Sequence, residues 1–288
     1  MEIILGKNIG FCFGVKRAYD LSLKIAKQSN KFCFCLGPLV HNESVIEKLQ
    51  KLGIKTISSL DDIKDNHSGD PLIIPAHGAK PETFSKAKAK GLEIIDATCP
   101  LVKKVQEAAR ELQNNGYNVI IIGDKNHTEV ESIQGAIDDK GIVIENMKDI
   151  QLLNKKSLKN LPLGVVSQTT QSLENVDKIL KELRKISKKI KFSNTLCPFV
   201  ADRQKEVKKI SQKVDLILII GSSSSANTKR LADIAKGSKK PVYYIENENQ
   251  LKKEWFCNIK KLGIFSGTST PDWEIKKIIN KIKNYEKK

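Results

Sequence analysis

From end to end the chain alternates short apolar runs with stretches whose apolar residues recur every three or four positions. The runs at 3–5, 32–36, 72–74, 92–95, 119–122, 142–144, 164–166, 189–192, 216–220, 242–245 and 263–265 predict strands. Helical spacing begins at Val15 (Val15, Ala18, Leu21, Ile25) and continues to Lys27. It returns after Asn42, a helix N-cap by residue type, and stops at Gly53. Further helices are predicted from Pro81 to Gly91, from Leu101 to Asn114, after Glu129, from Ser172 to Ile186, through Val200, Val207 and Ile210, and after Pro271. The stretch from Asp61 to Asp70 reads as polar loop. Continuous apolar strands joined by helices predict an α/β fold with mostly parallel sheets.

One sentence is written three times along this pattern. Gly10-Phe11-Cys12-Phe13-Gly14, Asp96-Ala97-Thr98-Cys99-Pro100 and Asn194-Thr195-Leu196-Cys197-Pro198 each put a cysteine between a strand and a helix. A valine follows three residues later in every case, at Val15, Val102 and Val200. The intervals are 87 residues from Cys12 to Cys99 and 98 from Cys99 to Cys197, with 91 remaining. Such even division predicts three similar α/β domains: 15–98, 99–194, and 195–288 together with 1–14.

Bulk properties narrow the function. A chain of 288 residues, 40% hydrophobic and 29% charged, has the make-up of an ordinary globular protein. Its longest apolar run, 216–220, is far too short to span a bilayer, and no export signal is visible. A cytoplasmic location is expected, with the six cysteines as thiols, metal ligands or catalytic groups rather than disulfides. The net charge of +17 admits a basic nucleic-acid-binding protein as an alternative. Against it, only five of the 50 basic residues are arginine, and lysines such as Lys181, Lys185 and Lys188 fall on the polar sides of helices. The charge equally suits an anionic small substrate or an acidic electron-donor protein, with no role for nucleic acid or membrane.

The loops at strand ends hold Cys12, His41, His77, Cys99, His127, Glu129, Thr169, Cys197, Ser225, Asn227 and Ser269. Ligands of open α/β sheets bind at that edge. Three dispersed cysteines do not make a closed four-ligand zinc site. They suit a 4Fe–4S cluster with three protein ligands and one open iron, able to act as a Lewis acid and to pass electrons. Two other readings stand beside this: three buried thiols, or a cysteine-nucleophile enzyme in which His77 activates Cys99. His41, His77, His127, Ser225, Asn227, Thr228 and Ser269 form a donor set able to hold a phosphate or diphosphate. No Walker loop and no G-x-G-x-x-G occurs, which argues against a nucleoside triphosphate or NAD. Glu129 is the best-placed carboxylate for proton transfer; its bland reading is a first-turn glutamate facing the helix dipole. His67 reads as solvent-facing, Cys33 and Cys35 as core, and Cys257 has no assigned role.

With these residues assembled, the chain resembles the 4-hydroxy-3-methylbut-2-enyl diphosphate reductase (LytB/IspH) family. The matching stretches are Gly10–Val15, Val40-His41-Asn42, Ala76-His77-Gly78, Asp96–Val102, His127–Glu131, Ser167–Thr170, Cys197, Ser225-Ala226-Asn227 and Gly267-Thr268-Ser269. The resemblance implies three domains in pseudo-threefold arrangement around a central 4Fe–4S cluster held by Cys12, Cys99 and Cys197. It implies a substrate diphosphate among His41, His77, His127, Ser225, Asn227 and Ser269, with Thr169 at the hydroxyl end and Glu129 relaying protons. The implied reaction is a two-electron reductive dehydroxylation giving isopentenyl and dimethylallyl diphosphates, the last step of the non-mevalonate (methylerythritol phosphate) pathway. A ferredoxin- or flavodoxin-type protein would donate the electrons. The comparison also implies that the opening strand packs with the C-terminal third. Gly10 and Gly14 are expected to let backbone crowd the cluster, and Phe11 and Phe13 to keep water from it. Two departures stand out: Ala226 replaces a frequent serine, and the segment after Cys197 keeps Arg203-Gln204 but is looser between.

Overall fold

The structure, a computed structural model, describes residues 1–28, 31–64, 67–153 and 155–286. Residues 65 and 66 of the predicted loop, and the last two lysines, lie outside this set. The first third runs β1 (Glu2–Leu5), α1 (Phe13–Gln28), β2 (Cys33–Leu36), α2 (Glu43–Lys51), β3 (Ile54–Ile57), β4 (Pro71–Ile74), α3 (Pro81–Ala89), β5 (Glu93–Asp96) and α4 (Pro100–Asn114). The middle third has β6 (Asn118–Ile122), α5 (Thr128–Gly135), β7 (Ile142–Ile144), α6 (Met147–Leu152), α7 (Lys155–Leu158), β8 (Leu163–Ser167), α8 (Leu173–Ile186) and β9 (Ile190–Phe192). The last third has α9 (Pro198–Ile210), β10 (Leu216–Ile220), α10 (Ala226–Lys236), β11 (Val242–Ile245), β12 (Lys261–Ser266) and α11 (Asp272–Glu286).

The strands form three four-stranded sheets, ordered β3-β2-β4-β5, β7-β6-β8-β9 and β11-β10-β12-β1. Every pairing among the described residues is parallel. Counted locally, each sheet has the order 2-1-3-4, and the fourth strand of the last sheet is supplied by the N-terminus. β1 pairs with β12 from Glu2↔Lys261 to Leu5↔Ile264, so the opening strand does pack with the C-terminal third.

The chain folds into two compact units. One comprises Met1–Lys16, Val40–Glu47 and Pro198–Lys288; the other comprises Arg17–Leu39 and Lys48–Cys197. Within each, strand residues alternate between two apolar layers. In the larger unit, Ile120, Ile122 and Val165 pack on Val176, Ile179, Leu180 and Leu183 of α8. The intervening Val119, Ile121 and Val166 pack on Val105, Ala109 and Leu112 of α4. In the smaller unit, Leu218, Ile220 and Ile264 face Ile275, Ile278 and Ile282 of α11, while Ile217 and Ile219 face Leu231 and Ala235 of α10. Burial of one such side chain contributes about 1.5–3 kcal/mol, which is why the central strands read as unbroken apolar runs.

The sequence pattern does not predict edge strand β3, nor α6, α7 and α10. In β3, Ile54 and Ile57 are buried while Lys55 is exposed, so its Ile-Lys-Thr-Ile carries too little apolar signal to stand out. No helix among the described residues is long and apolar enough to cross a membrane.

Candidate functional site

The three sheets follow one plan. A cysteine turn follows an edge strand: β5 leads to Cys99, β9 to Cys197 and β1 to Cys12. The two central strands lead to polar residues: β4 to His77 and β2 to His41, β8 to Thr169 and β6 to His127 and Glu129, β12 to Ser269 and β10 to Ser225 and Asn227. The opposite edge strands, β3, β7 and β11, lead to none of these residues. Since all strands run parallel within a sheet, the groups of each sheet lie at its carboxyl edge.

In the larger unit these groups are joined by contacts. Glu129 is 2% exposed, and its carboxylate accepts from the Thr169 backbone N–H at 2.6 Å and from the Thr169 hydroxyl at 2.8 Å. It lies in the first turn of α5, as the helix-dipole reading has it, and its carboxylate is turned onto Thr169. His127 is the N-cap of α5, and its Nδ1 accepts from the Glu129 N–H at 3.0 Å. An accepting Nδ1 places the proton of the neutral ring on Nε2. The His77 ring meets the His127 ring edge-on at 5.5 Å between centroids. Backbone bonds tie the two cysteines of this unit to these residues: Cys197 N–H to Thr169 O at 3.0 Å, and Cys99 N–H to Ala76 O, beside His77, at 3.0 Å. A cavity of about 360 Å³ opens beside His77, with Lys80, Thr128 and Glu131 in its wall. That falls in the size range of small-molecule sites.

In the smaller unit the groups are anchored differently. Ser225 caps α10 by accepting the Thr228 N–H at 3.3 Å, which leaves its own O–H to donate. Asn227 is 2% exposed, yet neither its amide nitrogen nor its amide oxygen has a hydrogen-bond partner among the described residues. The Thr228 hydroxyl is likewise buried and unpartnered, and a Cβ at Gly267 would come within 2.1 Å of it. Buried polar atoms of this kind cost free energy until a ligand or water meets them. The Ser269 hydroxyl donates to the His41 carbonyl at 3.0 Å. Burial, helped by the charge of Lys229, pulls the His41 imidazole below its usual range, so the neutral ring is favoured. Asn42 caps α2 as expected, its Oδ1 accepting the Val45 N–H at 3.1 Å.

The thiols divide into two classes. Cys12 and Cys99 are partly exposed and Cys197 is 7% exposed, each at the start of a helix. Cys12 O and Cys99 O accept the i+4 amides of Lys16 and Lys103, as N-cap residues do. Helix N-termini direct N–H dipoles toward negative charge, so these positions suit thiolate ligands. Cys33 and Cys35 are core thiols of β2: burial pushes Cys33 up to about 11, aided by Asp70, and Cys35 up to about 12. Cys257 is exposed. The donor chemistry of the first three therefore fits an iron–sulfur cluster, and that of Cys33 and Cys35 does not.

Phe13 is 57% exposed, and Phe11 stacks edge-on against Trp273 at 5.9 Å. Gly10 serves the turn itself: its φ is +87°, and a Cβ there would lie 2.2 Å from Asp272 Oδ1. His67 is only partly exposed, its Nδ1 lying 2.7 Å from Asp70 Oδ2, so it is not simply solvent-facing. Two residues have roles that the sequence pattern does not reveal. Arg203, 4% exposed, donates to Ser266 O and Gly10 O. Glu274, 7% exposed, accepts from Asn42 Nδ2 at 3.1 Å, and burial pushes its carboxyl above the usual range. Arg203 is legible only as a residue of the Arg-Gln pair, and Glu274 carries no signal.

Comparison with known proteins agrees with the motif reading. The family model described as LytB protein matches residues 3–283. The 4-hydroxy-3-methylbut-2-enyl diphosphate reductase of Aquifex aeolicus is 40% identical over 98% of this chain and 96% of its own length. That of Dictyoglomus thermophilum is 41% identical over 99% and 97%. Among solved structures, the Plasmodium falciparum E-1-hydroxy-2-methyl-but-2-enyl-4-diphosphate reductase superposes with a TM-score of 0.90 at 33% identity, covering 97% of this chain and 87% of that one. A second, described as the terminal enzyme of the non-mevalonate pathway, gives 0.71 at 39% identity over 99% and 100%. Matched along nearly its whole length by the family model and by these relatives, the chain belongs to the LytB family.

Proposed function

We propose that this chain, an oxidoreductase by family, reduces 4-hydroxy-3-methylbut-2-enyl diphosphate to isopentenyl and dimethylallyl diphosphates, the terminal step of the non-mevalonate route to isoprenoids. The observation that carries the reading is the buried Glu129–Thr169 pair. Reductive dehydroxylation takes in two electrons and two protons, replaces a hydroxyl by hydrogen and releases water. It therefore needs a proton donor in a dry place at the leaving hydroxyl.

The pair can work in two states. With Glu129 ionised, the Thr169 hydroxyl donates to Oε2, as found here. A proton on Oε2 reverses that bond, since the carboxylic acid now donates to Thr169 Oγ1. The Thr169 O–H is then turned away from Glu129 and toward substrate, and the proton can pass along the pair to the departing hydroxyl. The Thr169 N–H, bonded to Oε1, holds the carboxyl in place through both states.

For the diphosphate we assign His41, His77, His127, Ser225, Asn227 and Ser269. The Nε2–H of His127, the O–H of Ser225 and the unpartnered amide of Asn227 are donors of the kind an anionic oxygen takes. Ser269 must turn its hydroxyl from the His41 carbonyl to join them. Cys12, Cys99 and Cys197 are the assigned ligands of a 4Fe–4S cluster with one open iron, which when bound supplies single electrons and Lewis acidity. We read the three sheets with their helices as domains 15–98, 99–194, and 195–288 with 1–14. The electron donor is a ferredoxin- or flavodoxin-type protein, drawn to a chain of +17, and the setting is the reducing cytoplasm.

The test is turnover of the allylic diphosphate by anaerobically reconstituted protein with reduced methyl viologen. Formation of both five-carbon products is expected. Cluster-loaded protein that leaves the substrate unchanged overturns the assignment.

A further inference from the structure

The segment from Gly6 to Phe11, between β1 and α1, has no regular structure, yet it aims Cys12. Its course is fixed by a few bonds within the smaller unit. Gly6 N–H continues the ladder to Ile264 O at 2.9 Å, and Lys7 N–H bonds Glu206 Oε1 at 2.7 Å. Gly10 N–H bonds Ser266 Oγ at 2.8 Å, and Cys12 N–H bonds Thr268 O at 3.1 Å. The Arg203 guanidinium completes the set: Nη2 donates to Gly10 O at 2.6 Å and Nη1 to Ser266 O at 3.0 Å. Gly10 is thus clamped on both its backbone groups, two residues before the thiol.

We infer that Arg203 is a positioning residue for Cys12, its fork holding the Gly10 carbonyl to the end of β12 so that the Cys12 thiol is presented in one direction. The inference rests on the reading of Cys12 as a cluster ligand. Burying a cation is costly, and a structural bond to a carbonyl could be made by a neutral donor. What a guanidinium adds is a rigid planar fork that reaches two acceptors at once, which the single ammonium of lysine cannot reproduce. The clamp also sits on α9, the helix that begins directly after Cys197. Glu206, three residues on, holds Lys7, so one face of α9 supports the turn at two points.

The test uses the full chain with Arg203→Lys, Arg203→Met and Ser266→Ala. The last removes the acceptor of the Gly10 N–H without touching a charge, and keeps the question answerable if the buried arginine variants fail to fold. Two readouts are taken: the rate at which a ferrous chelator strips iron from the reconstituted protein, and the rate of iodoacetamide labelling at each cysteine of the metal-free chain, mapped by peptide mass spectrometry. Iron loss is expected to accelerate roughly tenfold in both arginine variants and a few-fold in Ser266→Ala. Labelling should change at Cys12 while Cys99 stays near its wild-type rate. If iron retention and Cys12 labelling match wild type in every folded variant, the inference is wrong. Equal changes at Cys12 and Cys99 also overturn it, because they report general loosening. Wild-type protein that takes up no cluster, but whose variants still show the Cys12-selective change, removes the ligand reading and leaves the positioning role in place.

Discussion

Glu129 with Thr169, and Asn227 with Thr228, are two buried polar pairs at sheet edges, and they are finished to different degrees. Glu129 commits both carboxylate oxygens to Thr169, whose own hydroxyl and amide are thereby satisfied. Among the described residues Asn227 has no partner for either amide atom, and the Thr228 hydroxyl has none either. A satisfied pair stabilises the fold and holds its geometry; an unsatisfied one destabilises the fold until something binds. In the function we propose, the first moves a proton between two fixed atoms and the second receives a polar ligand.

The comparison can be broken by substitution, starting with the largest effect. Glu129→Gln removes the titrating proton and should lower kcat by roughly 10²–10⁴-fold with KM little changed, as steady-state kinetics with reduced methyl viologen will show. Asn227→Leu should raise KM for the diphosphate by roughly 10–100-fold, as expected for a lost bond to a charged oxygen. Its urea midpoint should hold or rise, because the unpartnered amide is gone. Thr169→Val does the reverse to stability: a buried carboxylate loses a donor, and unfolding free energy should drop by about 1–3 kcal/mol. Should Asn227→Leu prove as destabilising as Thr169→Val, the two pairs are not different in kind.

The smallest effect is pH-dependent. The His41 ring is held below its usual range in the folded chain, so the unfolded chain protonates first as pH falls. The stability its neutral form contributes is present above about pH 6.5 and is lost as pH falls through the folded value. His41→Gln should therefore flatten the stability profile between about pH 7 and 5.5 relative to wild type. An unchanged slope would mean that His41 is not held neutral.

Much of this is legible in the chain. The central strands announce themselves because burial on both faces forces unbroken apolar runs, as in 216–220 and 119–122. With strands located, the residues just after them fall into place, since a parallel sheet brings its loops to one edge. What stays hidden depends on distance in sequence. Arg203 acts 193 residues from Gly10, and Glu274 acts 232 residues from Asn42, so neither role leaves a local trace. Edge strand β3 is hard to see because its two isoleucines sit at its two ends on opposite faces, so four residues show neither alternation nor an unbroken apolar run. Whether each polar side chain of the two pairs meets a partner depends on what packs around it, as Thr169 does around Glu129 from 40 residues away, and no local pattern records that.

The reading of the molecule as an iron–sulfur reductase is tested most directly by iron and acid-labile sulfide content of anaerobically reconstituted protein, measured for wild type, Cys99→Ser and Cys35→Ser. Wild type and Cys35→Ser should each hold about four iron and four sulfide per chain, while Cys99→Ser holds far less. Equal cluster content in Cys99→Ser and Cys35→Ser, or none in wild type, would contradict it.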